Sequence, residues 1–432
     1  MNFLKKLFSP ICLIISFLLL VYIFYKAEIY WAGTRDQYYL YYYIFSFILI
    51  IFSIFTFFIS YKIKEYLIIL SVSLITSLYM FEGYLSFKDT HYQSIKERKK
   101  IYEKNTGKKF DTRTRLEVLE DLKKTNKNAS MKVSPKHFLP NNNKLFALSS
   151  ISNSKTVYCN ENGYYFIYDS DRYGFNNPDE EWDSAEIEYL LVGDSTLQGA
   201  CVNRPGDITS LLRNLSKKSA LNLGYSGNGP LIEYASLREY LTPNVKKVLW
   251  VYYEDNDFLD LKEEIQNNIL MSYYNDNNFS QNLKSKQKEI DKLVKEIQNI
   301  GVKGQKTRFF KLYKTRNKFI KKEKSKQIEV LTEFREILKK AKELTINNNS
   351  KLYFVYIPSY NRYKLKDTIR DNNYMSVKKI LKELNIPLID IHEEVFKNEP
   401  NPFKFFPFEM FGHFNEEGYI KTAKVIYKLT KH

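Results

Sequence analysis

The chain has 432 residues, of which 44% are hydrophobic and 27% charged, which excludes both a disordered chain and one wholly embedded in a membrane. Lys and Arg outnumber Asp and Glu by 66 to 49, a formal net charge of +17, yet no compact basic stripe interleaved with aromatics stands out, so a nucleic-acid partner is not expected. Three cysteines exclude a disulfide-dense scaffold and any four-cysteine zinc site.

The apolar residues crowd the N-terminal end. Residues 7–25 and 37–61 carry no charge and reach the roughly 20 residues a helix needs to cross a bilayer. A third run, 66–81, is interrupted by Glu82 and resumes through Leu85 and Phe87. The reading is a transmembrane anchor over residues 1–90 with helices at about 7–25, 38–61 and 65–87, the last two joined by a tight turn at 62–65. A cleaved signal peptide is the alternative for the first helix, but no small-x-small site follows Tyr25. Lys5, Lys6, Lys62 and Lys64 set the N-terminus and the second loop inside, so three spans deliver the remainder to the periplasmic or extracellular side of the cell membrane. Lys88, Lys96, Arg98, Lys99 and Lys100 oppose that export, and two spans would keep the remainder inside.

Residues 91–185 read as a helical, linker and small accessory region. Residues 112–120 have amphipathic helical spacing, and Ser134-Pro135, Pro140 and Asn141 to Asn143 form a linker. Strand-like runs follow at Val157 and at 164–168, then a turn-rich stretch, 171–178. There Arg172, Tyr173, Asn176 and Asn177 are polar candidates for substrate contacts, with a plain turn as the other reading.

From residue 186 onward strands and helices alternate. Strands are expected at 189–192, 219–223, 248–252, 352–357 and 387–391, with helices at 208–215, 375–384 and 418–429. This rhythm predicts an α/β fold with a parallel, doubly wound sheet. Residues 259–349 interrupt it as a charged helical insertion, with Ile290, Leu293, Ile297 and Ile300 at helical spacing. A solvated insertion and a partner-binding coiled coil both fit that pattern.

Three short blocks follow strands at the carboxyl edge of such a sheet, where ligands bind, and a fourth lies in a loop just before the last helix. The first is Gly193-Asp194-Ser195-Thr196, a strand end that opens into a helix and holds a hydroxyl at the positive helix terminus. The second runs from Asn222 to Pro230 and contains Gly224, Gly227 and Gly229. It lacks the lysine and the fingerprint of a nucleotide loop. Ser226 imitates a nucleophile elbow, but its second glycine falls one place early. The third is Glu254-Asp255-Asn256-Asp257, and the fourth Gly412-His413-Phe414-Asn415 with Gly418. His392 could bind a metal, although a surface histidine is the plainer reading of a strand end.

In this order the blocks resemble the SGNH/GDSL hydrolase superfamily over residues 186–432. The resemblance implies a flavodoxin-like sheet, Ser195 as nucleophile and His413 as its base. It further implies an oxyanion hole made by the Ser195 and Gly227 N–H groups and the Asn256 amide. Two positions depart from the pattern. Met410 stands where the family usually has aspartate three residues before the histidine, and Asp255 where glycine is common. Glu409 is the substitute expected to orient His413, with a backbone carbonyl or no third member as alternatives.

The resulting expectation is a membrane-anchored serine esterase that needs no cofactor or metal. It would cleave an ester, an O-acetyl group foremost, on an envelope or extracellular glycan. An O-acyltransferase using the same serine, and a non-catalytic glycan-binding or assembly protein on a degraded fold, are the rivals. A protein partner could dock on the helical insertion. Cys12 falls in the first span, leaving Cys159 and Cys201 as the soluble pair. A disulfide between them would require an oxidising compartment, the alternative being two separate buried thiols.

Overall fold

The computed structural model describes residues 2–31, 33, 36–88, 90–140, 144–319, 330–365 and 367–431, so Asn141 to Asn143 of the expected linker lie outside the described residues. The chain divides into two compact units. The first comprises Met1–Tyr92, Pro140–Lys144 and Lys303–Lys322, and the second comprises Gln93–Leu139, Leu145–Val302 and Glu323–His432.

The first unit contains three helices long and apolar enough to cross a membrane, Lys5–Tyr30, Tyr38–Phe55 and Tyr61–Phe87. The second helix stops six residues before the expected 61. A turn at 56–60 follows, in which Ser60 caps the third helix by accepting from the Ile63 N–H at 3.4 Å. A serine cap satisfies a helix terminus that the apolar pattern cannot reveal. Between the first two helices, Ser16 and Ser53 hydroxyls meet at 3.0 Å and Ser9 donates to the Thr56 carbonyl at 3.0 Å. Lys5 pairs with Glu65 at 2.5 Å, bringing the starts of the first and third helices together.

The second unit holds two sheets. Strands β1 (Ser130–Met131), β2 (Lys155–Val157) and β3 (Ile167–Asp169) form a small sheet in that order. The main sheet consists of β4 (Ile187–Gly193), β5 (Ser219–Asn222), β6 (Val245–Tyr253), β7 (Lys351–Ile357) and β8 (Leu388–Asp390), in the order β5-β4-β6-β7-β8. Every pairing in it is parallel. This is the doubly wound, flavodoxin-like order, with the switch of direction at β4. Both faces are covered, which is why β4 is buried along its whole length and reads as a continuous apolar run. One face packs on a core with Leu190, Trp250 and Phe354, the other on a core with Leu191, Val251 and Val355.

The stretch expected as a solvated insertion is largely structural. Helix Leu331–Asn347 turns Phe334, Ile337, Leu338 and Ala341 into the core and supplies the crossover from β6 to β7. Helix Gln287–Lys306 buries Ile290 and Val294, while Ile300 is exposed. The charged residues that suggested solvation occupy the outer faces of these helices, and a parallel β6–β7 connection needs such a helix. Residues 320–329 of that stretch lie outside the described residues.

Candidate active site

β4 ends at Gly193, where a Cβ would meet the Val251 carbonyl oxygen of β6 at 2.8 Å, so glycine allows the strands to close. Asp194 then caps the short helix Ser195–Gln198 by accepting from the Thr196 N–H at 2.7 Å. Ser195 is left at the first helical position, part-exposed, with its hydroxyl 3.0 Å from His413 Nε2 and 3.2 Å from Asp194 Oδ2. The structure thus brings together Ser195 and His413, 218 residues apart.

His413 lies in the loop before helix Glu416–Thr430, where Asn415 accepts from the Gly418 N–H at 3.0 Å. Its other ring nitrogen, Nδ1, is 3.1 Å from Glu161 Oε1, and its backbone N–H donates to Glu161 Oε2 at 2.8 Å. A carboxylate can only accept, so Nδ1 carries the proton and Nε2 is free to accept from Ser195. Gly412 permits this approach, since a Cβ there would sit 2.6 Å from Glu161 Oε2.

The carboxylate that meets His413 is that of Glu161, and Glu409, expected there, lies elsewhere. Phe408 and Glu409 adopt left-handed backbone conformations, and the exposed Glu409 carboxylate accepts from Asn401 Nδ2 at 2.9 Å. No spacing rule within the fourth block could find Glu161, because it comes from a loop 252 residues earlier. That loop is fixed by three ties. Cys159 and Cys201 form a disulfide with Cα atoms 5.2 Å apart. Asn162 donates to the Cys201 carbonyl at 2.9 Å. Buried Arg98 donates to the carbonyls of Glu161 and Phe411, joining the acid's loop to the histidine's loop. The signal available in the sequence was the cysteine pair itself, which sets the turn 158–163 beside the Ser195 loop.

Burial pushes the Glu161 carboxyl up, but the charge and hydrogen bonds of His413, with Arg98, outweigh it and hold the group below its ordinary value. Burial likewise pulls His413 down, and the Glu161 charge and hydrogen bond overcome that, leaving the imidazole above 6.5. Each partner favours the other's charged form.

The second block forms a turn after β5. The Tyr225 N–H donates to the Gly193 carbonyl at 3.1 Å, and Glu264 accepts from the N–H groups of Gly229 and Leu231 at 2.6 and 2.9 Å. Gly227 has φ +86°, and a Cβ would collide with Ser134 Oγ. Among the described residues, the backbone N–H groups of Ser195 and Gly227 have no acceptor. Asn256 stands just past the end of β6, beside β4, with Nδ2 donating to Asp260 Oδ2 at 2.8 Å and one N–H remaining. Asp255 is taken up by Asn361 at 2.9 Å and Arg370 at 3.1 Å. The Ser226 hydroxyl lies 2.6 Å from Lys132 Nζ, which in turn sits 4.7 Å from the Tyr158 ring centroid. Burial, with Arg115 and Lys136 adding to it, brings Lys132 down to about 7.

The polar candidates in 171–178 are structural. Arg172 pairs with Asp179 and Asp183. Buried Asn177 bonds Asn222 in both directions, and buried Asn176 donates to the Gln198 carbonyl at 2.9 Å. His392 is held by the Tyr363 hydroxyl at 2.8 Å. Glu161, Cys201 and His413 place potential metal ligands within 4.8 Å of one another. The Cys201 sulfur is consumed by the disulfide, however, and the other two groups bond each other, so the set does not suit a cation.

No family model matches the chain, and no curated protein matches it. Solved structures do. A lipolytic protein of the G-D-S-L family from Desulfitobacterium hafniense shares 12% identity with it, covering 56% of this chain and 99% of its own at a TM-score of 0.33. A lipase/acylhydrolase from Enterococcus faecalis shares 13% identity, covering 57% of this chain and 95% of its own at 0.34. An acetylxylan esterase from Geobacillus stearothermophilus shares 15% identity, covering 58% of this chain and 95% of its own at 0.31.

Proposed function

We propose that the chain is a membrane-anchored serine esterase that removes an acyl group, O-acetyl foremost, from an envelope or extracellular glycan. The observation that carries this reading is the continuous relay Ser195 Oγ to His413 Nε2 and His413 Nδ1 to Glu161. In the reaction His413 takes the Ser195 proton as Oγ attacks the ester carbonyl. The N–H groups of Ser195 and Gly227 and the free N–H of Asn256 receive the developing oxyanion. His413 then returns the proton to the departing glycan hydroxyl, and water resolves the acyl-enzyme. Glu161 stabilises the imidazolium formed on the way and holds the ring in the productive tautomer. A binding protein on a decayed site would have no reason to keep the acid, the base, the nucleophile and unoccupied N–H donors together.

Three apolar helices support a multi-pass anchor, and an odd number of spans with Lys5, Lys6, Lys62 and Lys64 inside supports a site on the periplasmic or extracellular side. The Cys159–Cys201 disulfide is an independent support, since such bonds persist in oxidising compartments. The test is acetate release from O-acetylated polysaccharides by the full-length protein, with and without an added sugar acceptor. Release in water supports the esterase. Transfer to the sugar in place of release turns the reading to the acyltransferase, and neither activity on any acyl ester refutes it.

A further inference from the structure

Residues 303–319 belong to the first unit, together with the three apolar helices, although they arise more than 200 residues later in the chain. They hang on the third helix by four hydrogen bonds. The Glu82 carboxylate, fully buried, accepts from the Lys314 N–H at 2.9 Å, the Thr315 N–H at 2.7 Å and the Thr315 hydroxyl at 2.8 Å. The Tyr79 hydroxyl donates to the Phe310 carbonyl at 2.9 Å, and its ring lies 5.8 Å from that of Phe309. Glu82 is five residues from the end of its helix at Phe87, about 7–8 Å along the axis. On the membrane reading above, with the helix end at the headgroups, Glu82 comes to the boundary with the acyl chains, where a bare carboxylate would be costly and three donors remove the cost.

The composition of the docked segment matches that depth. Residues 303–319 contain seven Lys and Arg and no Asp or Glu. Among the described residues, Arg308, Lys311 and Arg316 have no carboxylate at ion-pair distance. Between these cations Phe309 and Phe310 are 44% and 72% exposed, an unfavourable arrangement in water and a suitable one at a lipid surface. We infer that residues 303–319 are an interfacial segment that lies on the bilayer beside the third span, its basic side chains on anionic lipid headgroups and Phe309 and Phe310 in the acyl boundary. This rests on the membrane reading above. It assigns this part of the insertion to lipid, where the sequence suggested a protein partner. Charge complementarity and continuity with the spans favour the lipid.

The test uses the full-length protein with Cys12→Ser, a nitroxide at Phe310→Cys and a second sample labelled at Ile48→Cys in the second helix. Both are reconstituted in phosphatidylcholine bilayers with and without phosphatidylglycerol. The expected result is a lipid-like oxygen-to-nickel accessibility ratio at position 310, several-fold above that of a label at Lys295→Cys. Adding phosphatidylglycerol should raise it further, and Arg308→Gln with Lys311→Gln and Arg316→Gln should abolish that rise. A water-like label at 310 beside a lipid-like label at 48 overturns this inference and leaves the membrane reading standing. A label immobilised at 310 equally in detergent and in both bilayers, with cross-links between copies, also overturns it in favour of a protein contact. A water-like label at 48 overturns the membrane reading and this inference with it.

Discussion

Two parts of the second unit supply the candidate site, and they supply it differently. The main sheet leads directly into Ser195, Gly227 and Asn256, each a few residues past the end of one of three neighbouring parallel strands. Loops outside the sheet hold His413 and Glu161, and these are fixed by side-chain ties: a disulfide, Arg98 and Asn162. Ser195 and Asn256 follow their strands within three residues, whereas the loops need cross-links between distant segments. Damage to the two sets should therefore differ in kind, as well as in size.

The largest effect is expected at the point where the two parts meet. Ser195→Ala should lower ester hydrolysis by roughly 10⁴-fold or more with an unchanged fold, since a small part-exposed hydroxyl contributes little packing. Circular dichroism and acetate release on one sample check both halves, and activity that persists would move the nucleophile elsewhere.

Glu161→Gln comes next, with a loss of about 10³–10⁴ in kcat. It also has a pH signature. His413 must be neutral to act as a base, and Glu161 holds its folded value above 6.5, so wild-type activity falls as pH drops through that raised value. Without the carboxylate charge, burial dominates and the acid limb of the kcat profile should move to lower pH. A limb that stays in place would separate Glu161 from His413.

For the sheet-borne set, Asn256→Ala should cost about 10²–10³ in kcat with little change in KM, the usual consequence of losing one oxyanion donor. A pure KM effect would instead make Asn256 a substrate contact.

The sheet was legible because its strands are apolar runs closed by glycine or polar turns, and the first three blocks follow strand ends while the fourth precedes the last helix. Ser195, Gly227 and His413 were singled out by the resemblance that the four blocks carry together. Glu161 could not be, because an acid reached through a 42-residue disulfide loop leaves no trace in local spacing. Glu409 looked suitable for its nearness in sequence, but a left-handed backbone at 408–409 directs it to Asn401. The stretch 259–349 misled for another reason. Its helix Leu331–Asn347 has a charged outer face dense enough to hide the buried row of Phe334, Ile337, Leu338 and Ala341.

A smaller effect should come from the ties. Cys159→Ser with Cys201→Ser opens a loop of 42 residues and should lower stability by roughly 3–4 kcal/mol in the chain-entropy model. At temperatures where the double variant remains folded, turnover should fall as Glu161 loses its fixed position, while chemical denaturation reads the stability change separately. Full activity in that variant would show that Arg98 and Asn162 suffice.

The central claim is that an acid from outside the sheet, and not the neighbour of the histidine in sequence, completes the site. The most direct measurement is the rate at which a fluorophosphonate probe labels Ser195, mapped by mass spectrometry, in the wild type, Glu161→Gln and Glu409→Gln. It needs no knowledge of the natural ester. The account predicts wild-type labelling in Glu409→Gln and labelling slowed by at least about 10²-fold in Glu161→Gln. Unchanged labelling in Glu161→Gln, or slow labelling confined to Glu409→Gln, would contradict it.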